Sequence, residues 1–143
     1  MCIRDSLLTT LSCQENTEVS KAAIAKEGIQ SKVVRQIIES VNEKNATKYV
    51  ENFADNIQIY VESDLKIEGK SNLIANRANH FKTHPNVKSA IQHLVEIDNK
   101  VIMHDKVWLN GEEDKSQDIV EIFTFNNGQI TKVDVIQPRN LFQ

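Results

Sequence analysis

The sequence IVEIFTFNNGQI, residues 119–130, combines a β-rich run with a turn-forming pair. Its first seven residues are almost all β-branched or aromatic, which is typical of a β-strand. Asn127-Gly128 follows, and this pair favours a tight hairpin turn because both residues tolerate a positive φ. The stretch therefore predicts a strand that turns back at Gly128 and continues as the last strand of the chain.

The same pattern extends upstream of this hairpin. Asp98-Asn99 marks a second hairpin turn between two long β-rich runs. Ile57, Ile59 and Val61 alternate with polar residues, which is the period of a half-buried strand. Strands joined by hairpins form an antiparallel meander that needs one covered face. The predicted strands are residues 57–61, 65–67, 87–97, 100–109, 118–125 and 130–137.

Three helices are predicted in the N-terminal half of the chain. Apolar residues at positions 33, 34, 37, 38 and 41 form one helical stripe, with Ser31 as a plausible N-cap. Asn45 can cap a second, short helix, and a third runs from about Leu73 until Pro85 stops it. These helices can cover one face of the sheet, so the predicted fold class is α+β.

Composition narrows the possible functions. The chain has 143 residues, 40% of them hydrophobic and 26% charged, which suits one soluble domain. A net charge of −3 with scattered Lys and Arg argues against a nucleic-acid partner. Cys2 and Cys13 are the two cysteines, and no His pair has ligand spacing with a third ligand nearby. We therefore predict no metal and no cofactor.

The N-terminal segment resembles a processed leader rather than part of the fold. Leu11-Ser12-Cys13 followed by polar residues is similar to a bacterial lipoprotein box, although Thr10 departs from it and Asp5 is unusual for a basic leader start. We expect residues 1–30 to be a leader remnant and flexible tether, and residues 31–139 to be the domain. Lipidation at Cys13 would place the protein in the bacterial cell envelope, at the periplasm or outer membrane. Without it, the location would be cytoplasmic.

Several local motifs resemble the nuclear transport factor 2-like superfamily, which includes SnoaL-like polyketide cyclases and ketosteroid isomerases. They are residues 53–56 before an alternating strand, Glu68-Gly69-Lys70 at the start of the third helix, residues 119–130, and residues 134–137. The resemblance covers about residues 31–138. It implies a cone-shaped, curved, mostly antiparallel sheet packed on three helices around a small-molecule pocket.

The catalytic positions of ketosteroid isomerases carry over only in part. Those enzymes use an Asp base with a Tyr and a protonated Asp as hydrogen-bond donors. By motif, the base falls on Val61, the Tyr on Ile37 and the protonated acid on Glu121. Two of these three positions are apolar, so the resemblance does not imply steroid isomerisation by that mechanism.

Glu121 is the leading candidate for acid–base chemistry. It lies between Ile119 and Phe123 on one face of the strand, but the opposite face is apolar too, so either face could be buried. A two-residue turn at Asn127-Gly128 places Glu121 opposite Asp134, and a three-residue loop places it opposite Val133. In either register we expect a pocket carboxyl whose pKa is raised by burial.

His93, His104 and Asp105 form a second candidate group. His93 shares an alternating face with Ile91 and Val95, so we expect it on the core side. A two-residue loop at Asp98-Asn99 pairs it with His104, whereas a three-residue loop pairs it with Asp105. A His–Asp pair could act as a base and its orienting partner. The alternative is a structural histidine in the core or on the surface.

Two functions from different classes remain open. One is an acid–base lyase, isomerase or hydrolase acting on a small hydrophobic or carbonyl compound. The other is a non-catalytic ligand-binding or association module of the same fold. We also expect a homodimer through the open face of the sheet, where Val120 and Ile122 need cover, and membrane contact only through a lipid anchor. The predicted pocket walls are Phe53, Phe81, Trp108 and Phe123.

Overall fold

The computed structural model of the protein describes residues 27–111 and 115–138. Residues 1–26 of the predicted leader and tether, with Cys13, lie outside this range, as does Arg139 at the expected end of the domain. Residues 27–30 are described, and the first helix begins at Ile29, two residues before the expected start of the domain. Among the described residues, no helix has the length and apolar character needed to cross a bilayer. The elements in chain order are α1 (Ile29–Asn42), α2 (Ala46–Tyr49), β1 (Phe53–Val61), β2 (Asp64–Glu68), α3 (Lys70–Thr83), β3 (Lys88–Ile97), β4 (Lys100–Trp108), β5 (Gln117–Asn126) and β6 (Gln129–Ile136).

The strands form one six-stranded sheet in the order β2-β1-β6-β5-β4-β3. β1 and β6 pair in parallel, and the other neighbouring strands pair antiparallel. The sheet is curved, and its inner face packs on the helices, as the predicted α+β class requires. Val34 and Ile37 of α1 are buried in one cluster with Phe53, Met103 and Phe123 from the inner face.

The hairpin within residues 119–130 has the predicted turn. Asn126 pairs with Gln129, and Asn127 and Gly128 have φ values of 52° and 80°. The pairing then shifts between Thr124 and Phe125, because a bulge on β6 inserts one extra residue.

This bulge corrects the predicted register of Glu121. Glu121 lies opposite Val135, and neither Asp134 nor Val133 faces it. Asp134 instead lies opposite Ile122, on the other face of the sheet. The inserted residue moves every later pair by one position, which a turn type alone does not reveal.

A second bulge lies on β3, and it places the side chains after it on the opposite face of the sheet from the one expected. Ile97 pairs with Lys100, so the Asp98-Asn99 turn has two residues, and His93 lies opposite His104. The register shifts between Ile91 and His93, and Ile91 therefore lies opposite Asp105 on the inner face. The expectation that His93 faces the core is wrong: its side chain is exposed.

The start of α1 is tied to the end of β3 by a carboxylate. Gly28 is the N-cap residue, and Ser31, the predicted cap, is buried inside the first turn. Glu96 Oε1 accepts hydrogen bonds from the Ser31 backbone N–H at 3.1 Å and from its hydroxyl at 2.6 Å. Glu96 thus satisfies a helix N-terminus from the facing strand, where a negative charge is favourable.

Candidate active-site cavity

A cavity of about 770 Å³ lies between the inner face of the sheet and the three helices. Its interior walls combine apolar side chains with a few ionisable groups, and exposed polar residues form its mouth. This composition is typical of a small-molecule site. The lining residues used below are Tyr49, Ile59, Arg77, His80, His84, Asp105, Ile119, Glu121 and Val135.

Two carboxyl groups enter this cavity from adjacent strands. Asp105 of β4 lies opposite Ile119, and Glu121 of β5 lies opposite Met103. Because directly opposed residues share a face, both carboxyls lie on the inner face as diagonal neighbours. Such neighbours have main-chain positions about 7–8 Å apart, which is within reach of their charges.

Asp105 is the more deeply buried of the two carboxyls. Only 2% of it is exposed, and its Oδ1 atom has no hydrogen-bond partner among the described residues. Burial raises its pKa well above the usual range, and the nearby charge of Glu121 raises it further. Hydrogen bonding from Ser89 and the charge of His104 oppose this shift. Asp105 is therefore held in its neutral, protonated form over a wider pH range than an ordinary Asp.

Glu121 is half-buried, and its pKa is raised by loss of water. The positive charge of Arg77 on α3 acts in the opposite direction and favours the carboxylate. The charge of Arg77 therefore stabilises the carboxylate form of Glu121, whereas the charge of Glu121 disfavours the carboxylate form of Asp105. This difference favours a pair in which Asp105 keeps the proton and Glu121 releases it.

Arg77 and Tyr49 form the wall opposite the carboxyl pair. The Arg77 guanidinium carbon lies 5.5 Å from the centre of the Tyr49 ring, in a cation–π arrangement. Tyr49 is buried and stacks on Phe53 with 5.6 Å between ring centres. Burial raises the pKa of the Tyr49 phenol, as do the charges of Glu121 and Asp105, so the phenol stays protonated.

Two histidines continue this wall toward the mouth, His80 on α3 and His84 at its C-cap. The rings of His80 and His84 lie 5.0 Å apart. Burial lowers the pKa of His80 to about 4, with further lowering by the charges of Arg77 and His84. At neutral pH His80 is therefore an uncharged imidazole that can donate or accept a hydrogen bond.

The sequence-predicted site residues separate onto the two faces of the sheet. Glu121 and Asp105 line the cavity. His93 and His104 lie on the outer face, where their rings stack at 5.4 Å. His104 Nε2 lies 2.8 Å from Asp118 Oδ1, also on the outer face. Of the two registers left open for His93, the structure has the one that places it opposite His104, so the alternative pair of His93 with Asp105 as a base and its orienting partner does not form.

The predicted aromatic walls do not line this cavity. Phe53 and Phe123 are fully buried in the core, and Phe81 is also buried. Trp108 lies on the outer face, where the Lys88 ammonium sits 5.3 Å from its ring centre. The three phenylalanines pack in the core, and the apolar part of the cavity wall is formed by Tyr49 and aliphatic residues instead.

Sequence reasoning missed Arg77 and Tyr49 as cavity residues. One available signal was the face of α3 that carries Leu73, Arg77 and His80, because a helix that only packs on a sheet would be apolar there. No group of three or more His, Cys, Asp or Glu side chains within residues 27–111 and 115–138 is arranged to hold a metal ion.

Comparison with known proteins agrees with this architecture. A family model described as a SnoaL-like domain matches residues 34–133. No protein of curated function matches the chain. Three similar solved structures share between 14% and 20% sequence identity with the chain, so they bear on the fold and not on the activity.

Three of these structures illustrate the likeness. An uncharacterized cystatin fold protein from Novosphingobium aromaticivorans has a TM-score of 0.70 at 19% identity, covering 77% of this chain and 99% of that one. A nuclear transport factor 2-like protein from Cytophaga hutchinsonii has a TM-score of 0.66 at 20% identity, covering 82% and 99%. A SnoaL-like protein from Burkholderia thailandensis has a TM-score of 0.64 at 14% identity, covering 73% and 91%.

The SnoaL-like and ketosteroid isomerase-like fold group includes polyketide cyclases and isomerases. The family match extends from Val34 in α1 to Val133 in β6, which is more than half of the chain and contains both cavity carboxyls. The chain belongs to the SnoaL-like domain family.

Proposed function

We propose that the protein catalyses proton transfer at a carbon next to a carbonyl group, with Glu121 and Asp105 as the acid–base pair. The observation that carries this proposal is the presence of two carboxyls with raised pKa values on one cavity wall. Groups with pKa values near neutrality are the most effective acid–base catalysts under physiological conditions.

The roles of the two carboxyls follow from their surroundings. The Glu121 carboxylate, stabilised by Arg77, accepts the proton from the α-carbon, and a new O–H bond forms as the C–H bond breaks. The electron pair of that C–H bond moves onto the carbonyl oxygen as an enolate. Protonated Asp105 donates a hydrogen bond or its proton to this oxygen, and its buried Oδ1 atom, which has no hydrogen-bond partner among the described residues, suits this task.

The cavity wall restricts the substrate to a small compound with an apolar body. Ile59, Ile119 and Val135 surround the carboxyl pair with aliphatic surface. This surface excludes water, so the hydrogen bond from Asp105 stabilises the negative charge developing on the carbonyl oxygen more strongly than it would in solution. The reaction is completed when Glu121 returns a proton to the α-carbon, which corresponds to exchange. In a substrate with a β,γ double bond the enolate is a conjugated dienolate, and return of the proton to its γ-carbon corresponds to isomerisation.

Hydrogen–deuterium exchange at an enolisable ketone tests the proposal directly. Acetophenone in deuterium oxide is incubated with the protein, and loss of the methyl proton signal is followed by NMR. We expect exchange at least about tenfold faster than in buffer, which corresponds to about 1.4 kcal/mol of barrier lowering. Glu121→Gln should lose this acceleration, because an amide cannot accept the proton.

Glu62→Gln is the matched control, since Glu62 is an exposed glutamate at the cavity mouth and not in its interior. It should retain the wild-type exchange rate. Acetophenone binding without any acceleration of exchange would instead favour the non-catalytic ligand-binding function. Equal acceleration by wild type and Glu121→Gln would show that Glu121 is not the base.

A further inference from the structure

We propose that Arg77 binds an anionic group of the substrate, so that the preferred ligand is a carbonyl compound carrying a carboxylate. This inference deepens the proposed proton transfer and rests on it for the other end of the ligand. The carbonyl would lie at Asp105 and Glu121, and the carboxylate at the α3 wall, which is the side of the cavity formed by Asn76, Arg77, His80 and Thr83 of α3 together with its C-cap residue His84.

The first reason is that Arg77 carries a positive charge but forms no ion pair with a described residue. Within the described residues Arg77 forms no ion pair, although it lines the cavity. The chain's other described arginine behaves differently, because Arg35 Nη2 lies 2.6 Å from Glu27 Oε2. A half-buried guanidinium that acts on Glu121 without forming an ion pair with it is a suitable receptor for an anion from outside the protein.

The orientation of Arg77 is the second reason. Its Nε and Nη2 atoms donate to Asn76 Oδ1 at 3.0 and 2.8 Å, and its planar group lies over the Tyr49 ring. These contacts hold the guanidinium in place while Nη1 takes no part in the Asn76 bonds. A pre-oriented guanidinium loses less side-chain entropy when it binds a carboxylate.

The rest of the α3 wall is the third reason. Arg77 and His80 lie at i and i+3 on one face of α3, and His84 is the C-cap residue directly after this helix. Asn76 and Thr83 also line the cavity from this helix. This wall offers hydrogen bonds and one permanent positive charge, while the sheet wall offers apolar surface and two carboxyls. A ligand with one polar anionic end and one carbonyl end matches both walls.

Arg77 also links anion binding to Glu121. Its charge favours the Glu121 carboxylate, so a ligand carboxylate that pairs with Arg77 offsets this effect and raises the proton affinity of Glu121. An anionic ligand should therefore be taken up together with protons near neutral pH. A neutral ligand of the same shape should not have this effect.

The test compares 4-acetylbenzoate with 4-acetylbenzamide, which differ in the charge of one group. Affinity is measured by isothermal titration calorimetry in buffers of different ionisation heat, so that proton uptake is measured too. We expect the carboxylate to bind at least about tenfold more tightly than the amide, and with proton uptake. Arg77→Gln should remove the preference, and Arg77→Lys should keep part of it, because it retains the charge without the planar fork.

Arg35→Gln is the matched control and should leave the preference unchanged. Equal affinities for the two compounds in wild type, binding of neither compound, or a preference that survives in folded Arg77→Gln would each overturn the inference. Should Arg77→Gln fail to fold, an undiminished preference in Arg77→Lys, together with absence of proton uptake, would overturn it as well.

The acetophenone exchange assay distinguishes a failure of the Arg77 site from a failure of the proposed proton transfer. Glu121-dependent exchange without a carboxylate preference would leave the proton transfer standing and reject the Arg77 site. A carboxylate preference that depends on Arg77, without exchange of either ketone, would reject the proton transfer.

Discussion

Asp105 and Glu121 lie diagonally across β4 and β5, two residues apart in register, on the inner face of the sheet. Each contributes a carboxyl to one cavity, and the charge of Glu121 raises the pKa of Asp105. Like charges held close together in a poorly hydrated space do not readily ionise together. The pair therefore favours a state with one shared negative charge, which is the state that can both accept and donate a proton.

The first prediction concerns stability and pH. The folded-state pKa of Asp105 is raised, so the folded protein holds this proton more tightly than the unfolded chain does, and its stability falls as pH rises from the ordinary Asp value through the raised one. Asp105→Asn cannot ionise. Its stability relative to wild type should increase over this range, by on the order of 2 kcal/mol. Urea unfolding between about pH 4 and about pH 9 measures this difference.

Asp118→Asn serves as a control, because the pKa of Asp118 is shifted in the opposite direction to that of Asp105. The hydrogen bond with His104 lowers the pKa of the exposed Asp118 carboxyl, so its contribution is present above the ordinary Asp value and is lost as pH falls. This variant should be slightly less stable than wild type at neutral pH and equal to it in acid. An Asp105→Asn variant with the same pH dependence as wild type would argue against a raised pKa at Asp105.

The second prediction concerns cavity volume. Val135 lies opposite Glu121 and lines the cavity, so Val135→Phe should fill space beside the carboxyl pair. Acetophenone affinity should fall by about tenfold in an NMR titration, because the larger ring occupies the ligand's position. Val95→Phe is the control, since Val95 is 48% exposed on the outer face. Unchanged affinity in Val135→Phe would place the ligand elsewhere.

The third prediction concerns the contact between Glu96 and the start of α1. Glu96→Ala removes the acceptor for the Ser31 backbone N–H and hydroxyl. We expect a loss of about 1 kcal/mol in the free energy of unfolding, which is typical of a lost N-terminal cap. Thermal unfolding compares it with Glu51→Ala, a change at an exposed glutamate. Equal melting temperatures for the two variants would mean that Glu96 contributes nothing to the helix.

The fourth prediction concerns assembly, and we propose a homodimer through the outer face of the sheet. Val95, Ile97 and Ile136 are 48%, 57% and 51% exposed on this face. Exposed apolar surface on one sheet face favours association with a second copy. Light scattering after size-exclusion chromatography should give twice the chain mass for wild type and a monomer for Ile136→Lys. Ile29→Lys, at an exposed position on α1, should remain dimeric, and a monomeric wild type would reject the proposal.

Much of the fold could be predicted from local sequence. Alternation in β1 and the Asn127-Gly128 turn depend on residues close together in the chain, and the structure confirms both. The bulges near Gln92 and Thr131 could not be predicted, because an inserted residue leaves no mark in the apolar pattern. These two bulges decide that His93 faces outward and that Glu121 lies opposite Val135.

The candidate site was predictable only where one strand determines it. Glu121 and Asp105 could be named because each interrupts an apolar face of its own strand. Arg77 and Tyr49 reach the cavity from two helices, and their meeting depends on how α2 and α3 pack on the sheet. Such contacts between distant segments have no local sequence signal.

Carbon-13 NMR titration of the Asp105 and Glu121 side-chain carboxyls measures whether this pair has raised pKa values, with assignment by Asp105→Asn and Glu121→Gln. We expect both carboxyls to titrate well above the ordinary values of 3.8 and 4.5, and Arg77→Gln to raise the pKa of Glu121 further because it removes a nearby positive charge. Titration of both carboxyls at their ordinary values, with no response to Arg77→Gln, would contradict the account.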